Sequence, residues 1–233
     1  HNPAKIAAAL DNQGLLTINS PIAITKTLAA HKNTGTFAVN ELLTMHAVGT
    51  SETTSNSGSI AVAANKTIDF TPGTFYHNTG GTITGAGTLS LTSATMVLNA
   101  NFTNDVADFK IYNSTINGTG TLITSATNTI TVYGSGIAYI YPPIDNYGKF
   151  IVQRNTFIYG NLTTRSGSLI QIEPTSTFVT TLTVSGGFTN NGTIYLRDPS
   201  VVSPIPLNLT ITSGSLVNAS GGVVKGTTGI TSG

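Results

Sequence analysis

The chain has 233 residues, with 10 basic and 9 acidic side chains, a net charge of +1, and neither cysteine nor tryptophan. The missing thiols exclude disulfide scaffolds, cysteine-ligated zinc and thiol catalysis. Scattered, nearly balanced charge leaves no electrostatic footprint for nucleic acid or an anionic membrane. Charged residues make up 8% of the chain, against about a quarter in an ordinary soluble domain, and 41 Thr, 21 Asn and 20 Ser take their place. A surface covered by short uncharged polar groups is the style of a secreted or cell-surface protein. No apolar run approaches the ~18 residues needed to cross a bilayer, and a start at His1-Asn2-Pro3 reads as a processed or excised segment.

Residues 1–11 read as an N-terminal cap. Lys5-Ile6-Ala7-Ala8-Ala9-Leu10 is the strongest helix-forming stretch of the chain and suits a lid over the first coil, or else a first strand. From residue 12 to 224 the chain repeats. Asn-x-Gly recurs at Asn12, Asn33, Asn56, Asn78, Asn146 and Asn190, at intervals of 21, 23, 22, 68 and 44 residues, the last two close to three and two copies of about 22. Weaker copies stand at Gly118-Thr119-Gly120 and Arg165-Ser166-Gly167, and the copy near Asn104 lacks its glycine.

After each glycine comes an alternating apolar pair, such as Phe37 and Val39, Ile60 and Val62, Phe150 and Val152, or Ile194 and Leu196. Period two marks a strand with one buried face, and Asn-x-Gly is read as supplying positive-φ corner positions. Further alternating stretches follow at Leu89 and Leu91, Ile130 and Val132, and Leu182 and Val184. Two or three short strands with turns fit one repeat. The reading is an all-β, single-stranded right-handed parallel β-helix (β-solenoid) of about ten coils, with a hairpin-built β-sandwich as the alternative. Recurring asparagines either stack into an axial ladder or each satisfy only their own turn. Glu41-Leu42-Leu43-Thr44-Met45-His46 reads as a helical excursion unless pairing imposes a strand, and residues 225–233 read as a tail or linker without capping character.

Repeats of the form Asn-x-Gly-Thr-Ile-x-Leu, as at Asn190 to Leu196, resemble those of bacterial parallel β-helix surface proteins, the autotransporter passengers and haemagglutinin-like adhesins. The resemblance spans Asn12 to Val224 and implies a fold and a structural or adhesive role; it carries over no site residue.

Tyrosines crowd one region, at Tyr133, Tyr139, Tyr141, Tyr147 and Tyr159, together with Phe150 and Phe157. Tyr139 and Tyr141 share a face. Outward, their rings and hydroxyls would stack on and hydrogen bond to the sugars of a polysaccharide or cell-surface glycan; inward, they fill the core. These five tyrosines are the candidate binding residues. End-to-end self-association into a filament is a further role open to such a rod.

Polysaccharide lyases and hydrolases of this fold gather several acids on one sheet. Here the acids are spread evenly, and the one close pair, Asp105 and Asp108 with Lys110 beside it, falls where the repeat loses its glycine. His1, His31, His46 and His77 have no metal-ligand spacing and read as surface or turn residues. Catalysis, a metal and a cofactor are therefore not expected. Nor is ice binding, because no threonine rank recurs at one place in every coil.

Overall fold

A computed structural model describes residues 3–46, 52–175, 178–200 and 204–228. His1 and residues 229–233 lie outside the described residues. The chain winds as a right-handed parallel β-solenoid, and every strand pairing in it is parallel. A hairpin sandwich would require antiparallel neighbours.

Each coil contributes three short strands to three faces of a prism. The first face is a 10-stranded sheet that begins at Asp11–Asn12 and ends at Leu207–Ile211, so it spans nine full turns. The second and third faces merge into one 17-stranded sheet, because Thr82–Thr92 and Phe102–Tyr112 run through the corner between them without a break. Phe188–Asn190 and Leu216–Asn218 close the second face as a separate pair. At about 4.8 Å per turn, nine turns make a stack roughly 43 Å long.

The inward file Phe70, Leu91, Ile111, Val132, Val152 and Ile172 on the third face follows a repeat of ~21 residues per coil. This is slightly shorter than the spacing read from the sequence. The next two steps of the file, to Leu196 and then Gly226, are longer, because the loops after Ile172 and Asp198 grow. Extra length goes into the corner between the third and first faces, while the strands keep their register. Alternation then does the rest of the folding: one side chain in two enters a continuous aliphatic and phenylalanine core. Burying each such side chain contributes about 1.5–3 kcal/mol. Phe70 stacks on Phe75 at 4.0 Å between centroids, and Phe102 meets His77 and Phe109 edge-on at 5.0 and 5.7 Å.

Both helical expectations give way to strands. Ala4–Ile6 pairs with Ile22–Ile24, and Leu43–His46 pairs with Ile22–Thr25 below and Ile68–Thr71 above. Helix propensity worth tenths of a kilocalorie per residue is outweighed by a ready hydrogen-bonding neighbour and an apolar face to cover. The solenoid also extends past 224, since Val223–Thr228 pairs with Thr193–Asp198.

Asn-x-Gly marks corners, with the expected positive φ at Gly80 and at Gly118 and Gly167 of the weaker copies, but for a different reason elsewhere. Gly35 and Gly58 have ordinary backbone angles. A Cβ on Gly35 would lie 2.1 Å from the Gly14 carbonyl oxygen, and one on Gly58 would lie 2.1 Å from that of Gly35. The coils stack too closely there for any side chain. Gly148 is equally confined, 2.2 Å from the Ser125 carbonyl.

The motif also changes corner. Asn12, Asn33 and Asn56 end strands of the first face and stand in register, followed by His77, Leu98 and Gly118. Asn104, Asn146 and Asn190 instead belong to strands of the second face. The long interval between Asn78 and Asn146 is thus three coils plus one further strand. Asn78 does not join the file; His77 holds its place, and Asn78 accepts a surface hydrogen bond from Asn99.

Candidate functional site

The first face carries two outward files. One reads Thr53, Thr74, Thr95, Thr115, Tyr139, Phe157, Thr183 and Thr210. Threonine therefore recurs at one place in four consecutive coils, Thr53 to Thr115, though not in every coil. It forms a single rank, because the neighbouring file holds Ser55, Tyr76, Val97 and Asn117. Into this low surface two coils insert four rings.

Tyr139 and Tyr141 point outward because Ala138 and Ile140, before and between them, take the inward positions, and Thr156 and Ile158 do the same for Phe157 and Tyr159. Tyr141 and Tyr159 lie 4.7 Å apart with planes 11° from parallel, and Tyr139 and Phe157 lie 5.5 Å apart at 22°. Rings that close and that parallel cannot be side by side in one plane; they lie face over face, each stack following the coil rise. Phe157 and Tyr159, two residues apart on one strand, are nearly parallel at 6.4 Å. The result is two adjacent stacks of two rings each. Beyond the stacks the register neighbours are Thr115 on one side and Thr183 on the other, with Ser185 beside Tyr159. Short side chains at these steps leave the outer ring faces as ledges above the sheet. Tyr141 is 48% exposed and Tyr159 46%.

The five candidate tyrosines are thus only partly brought together. Tyr139, Tyr141 and Tyr159 share the ledge, and Phe157, absent from the candidate set, completes it. Tyr133 lies on the third face, 5.6 Å from Tyr112, and burial raises its hydroxyl pKa. Tyr147 lies at the corner between the second and third faces, under the guanidinium of Arg165 at 5.1 Å. Arg165 in turn is fixed by a two-pronged ion pair to Asp145, at 2.7 and 2.8 Å, which raises its pKa further.

Asp105 and Asp108 are not brought together either. Asp105 faces out from the second face and accepts a hydrogen bond from Ser125, whereas Asp108 begins the stretch on the third face beyond the register shift. Asp108 accepts from the Thr131 hydroxyl at 2.9 Å and sits 3.8 Å from the Lys110 ammonium. Burial nonetheless raises its pKa.

Two histidines depart from the surface role expected of them. His31 and His77 are buried in the inward files, and desolvation lowers both pKa values. His31 Nδ1 accepts from the Leu10 amide, while Nε2 has no partner and shares a water-sized cavity of about 10 Å³ with Glu52. Glu52 is fully buried, accepts from the Leu28 amide at 2.7 Å, and leaves Oε2 without a partner. Among the described residues no group of three or more His, Asp or Glu side chains is placed to hold a metal, and no helix is long and apolar enough to cross a membrane.

Clefts gather at the corner between the third and first faces, where the loops vary. One of about 410 Å³ lies among Ile137, Arg154, Asn155, Phe178 and Val179, and another of about 380 Å³ among Leu196, Asp198, Pro204, Ile205 and Leu207. No family model, curated protein or solved structure matches the chain.

Proposed function

We propose that this solenoid is a rigid, non-catalytic structural and adhesive segment displayed outside the cell, and that the four-ring ledge of the first face is its contact with glycan. The ledge carries the reading. A core needs its aromatics inside, yet here four rings project from an otherwise threonine-rich sheet. Their outer faces suit the flat apolar side of a sugar ring, and the phenolic hydroxyls of Tyr139, Tyr141 and Tyr159 reach its polar rim. Each contact is weak. A stiff support repeated along a longer surface protein, or on many copies of it, turns weak contacts into firm attachment. An uncharged polar exterior supports the placement outside the cell, as does the resemblance of the repeats to those of autotransporter passengers and haemagglutinin-like adhesins.

The test is retention on insoluble glycans, including cellulose, chitin and xylan. Tyr141→Ala with Tyr159→Ala is expected to lower retention at least about tenfold, since losing ring stacking at two positions removes more than ~1.4 kcal/mol. Tyr147→Ala, at a different corner, should leave it unchanged. Undiminished retention by the double variant would sink the reading.

A further inference from the structure

The cleft at the edge of the ring ledge holds a cation without a counter-ion. Of the three arginines, Arg165 is paired with Asp145 and Arg197 with Glu173. Arg154 pairs with no carboxylate among the described residues. Its Nε donates to the Gly134 carbonyl, and its guanidinium lies 5.0 Å from the centroid of the Phe178 ring. Held on two sides in this way, it has neither Nη hydrogen bonded to the described residues. Phe178 is 64% exposed, and Ile137 and Val179 expose apolar surface beside it. A guanidinium whose Nε is occupied still offers the pair of Nη donors, which match the two oxygens of a carboxylate.

The cleft and the ledge form one surface. Ile137 stands two residues before Tyr139, and Asn155 two residues before Phe157. At strand rise the four steps from Ile137 to Tyr141, on either side of Ala138–Ile140, span roughly 13 Å, the reach of a short oligosaccharide. The cleft volume of about 410 Å³ lies within the range of small-molecule sites, about 300–1,000 Å³.

Building on the glycan-binding reading above, we infer that the ligand is an acidic polysaccharide: a uronate places its carboxylate on Arg154 within the cleft, while the following sugars run along Tyr139, Tyr141, Phe157 and Tyr159. The ring ledge supplies affinity for any pyranose chain, and Arg154 the preference for a charged one.

Calorimetric titration with an oligogalacturonate, its carboxyl-reduced counterpart of equal length and an oligoglutamate peptide tests this. The protein is expected to bind the acidic sugar about tenfold more tightly than the reduced one, the effect of one charge-assisted hydrogen-bonded pair. In Arg154→Gln that preference should vanish while affinity for the reduced sugar stays the same, with an unchanged melting temperature as the fold control. In Tyr141→Ala both sugars should weaken together. Equal affinity for the two sugars, or a preference that survives Arg154→Gln, overturns the inference and leaves glycan binding standing. Peptide binding as tight as that of the oligogalacturonate overturns it too, since charge alone would then be read. Failure to bind either sugar brings down the glycan-binding reading and this inference with it.

Discussion

The first three coils and the coils from Asn104 onward use asparagine at a corner in two ways. In both regions the side-chain amide clamps the strand of the coil above. Asn33 Nδ2 donates to the Ser59 carbonyl, Asn104 Nδ2 to that of Thr129 and Asn146 Nδ2 to that of Leu169. Only the amino-terminal region adds a second link at every step. Asn12 donates to Asn33 Oδ1 and Asn33 to Asn56 Oδ1, each at 2.7 Å, as a continuous buried ladder.

In the later file threonine alternates with asparagine: Asn104, Thr124 and Asn146 follow in register, then Thr164. A threonine hydroxyl bridges the coil rise less closely than an amide: Thr164 Oγ1 reaches Asn190 Oδ1 at 3.3 Å, and Thr124 Oγ1 reaches neither neighbour. Asn104 Oδ1, Thr124 Oγ1 and Asn146 Oδ1 are left buried without partners. Where two asparagines are again adjacent, Asn190 and Asn218, the link returns at 2.8 Å. The ladder therefore depends on unbroken succession, and a lone asparagine acts as a bracket.

The sharpest way to break the comparison is Asn33→Ala. It leaves Asn12 Nδ2 without Asn33 Oδ1 and Asn56 Oδ1 without its donor, and urea unfolding is expected to show a loss of about 3 kcal/mol. A loss under about 1 kcal/mol would mean that the ladder adds little to the brackets.

Acidification should separate the two regions less strongly. The buried histidines His31 and His77 both belong to the amino-terminal half, and each has a folded-state pKa below the ordinary 6.5. Their contribution is present above pH 6.5 and is lost as pH falls below it, because the unfolded chain takes up protons that the folded one resists. Hydrogen exchange at about pH 5 against about pH 7 should show faster opening of the coils from Asp11 to Leu98 than of those from Leu122 to Ile172. Equal acceleration throughout would contradict the assignment.

The smallest effect is expected at Thr124. Thr124→Val removes an unpartnered hydroxyl at nearly constant volume, so stability should be unchanged or should rise by up to about 1 kcal/mol in thermal unfolding. A comparable loss would show the hydroxyl to be bonded within the file.

Much of this fold is legible in the sequence because a β-solenoid repeats its requirements. Asn-x-Gly at Asn12, Asn33 and Asn56, followed by Phe37 and Val39 or Ile60 and Val62, states corner and strand directly. The change of corner is not legible, since a strand is short relative to a coil and the same tripeptide suits either bend. The confinement of Gly35 by Gly14 is a relation between coils, which no local pattern expresses. His31 and His77 misled because their inward neighbours, Thr54 and Asn56, are one coil away.

At the ring ledge, alternation puts Tyr139 and Tyr141 on one side without saying which. The deciding signal is the intervening Ile140, with Ile158 in register above it, since those aliphatics continue the core file from Ile116. Arg154 and Phe178 stand one coil and a short insertion apart along the chain, and only the winding brings them together.

Hydrogen bonds between coils run along the stack's long axis, which has a mechanical consequence. Tension applied at the two ends loads those bonds directly and in sequence, so the outermost turn gives way first. A turn of about 21 residues that peels off surrenders roughly 5 Å of rod and releases about 70 Å of extended chain. Such a segment lengthens stepwise under a pull, dissipating work while the turns nearer its middle hold their shape.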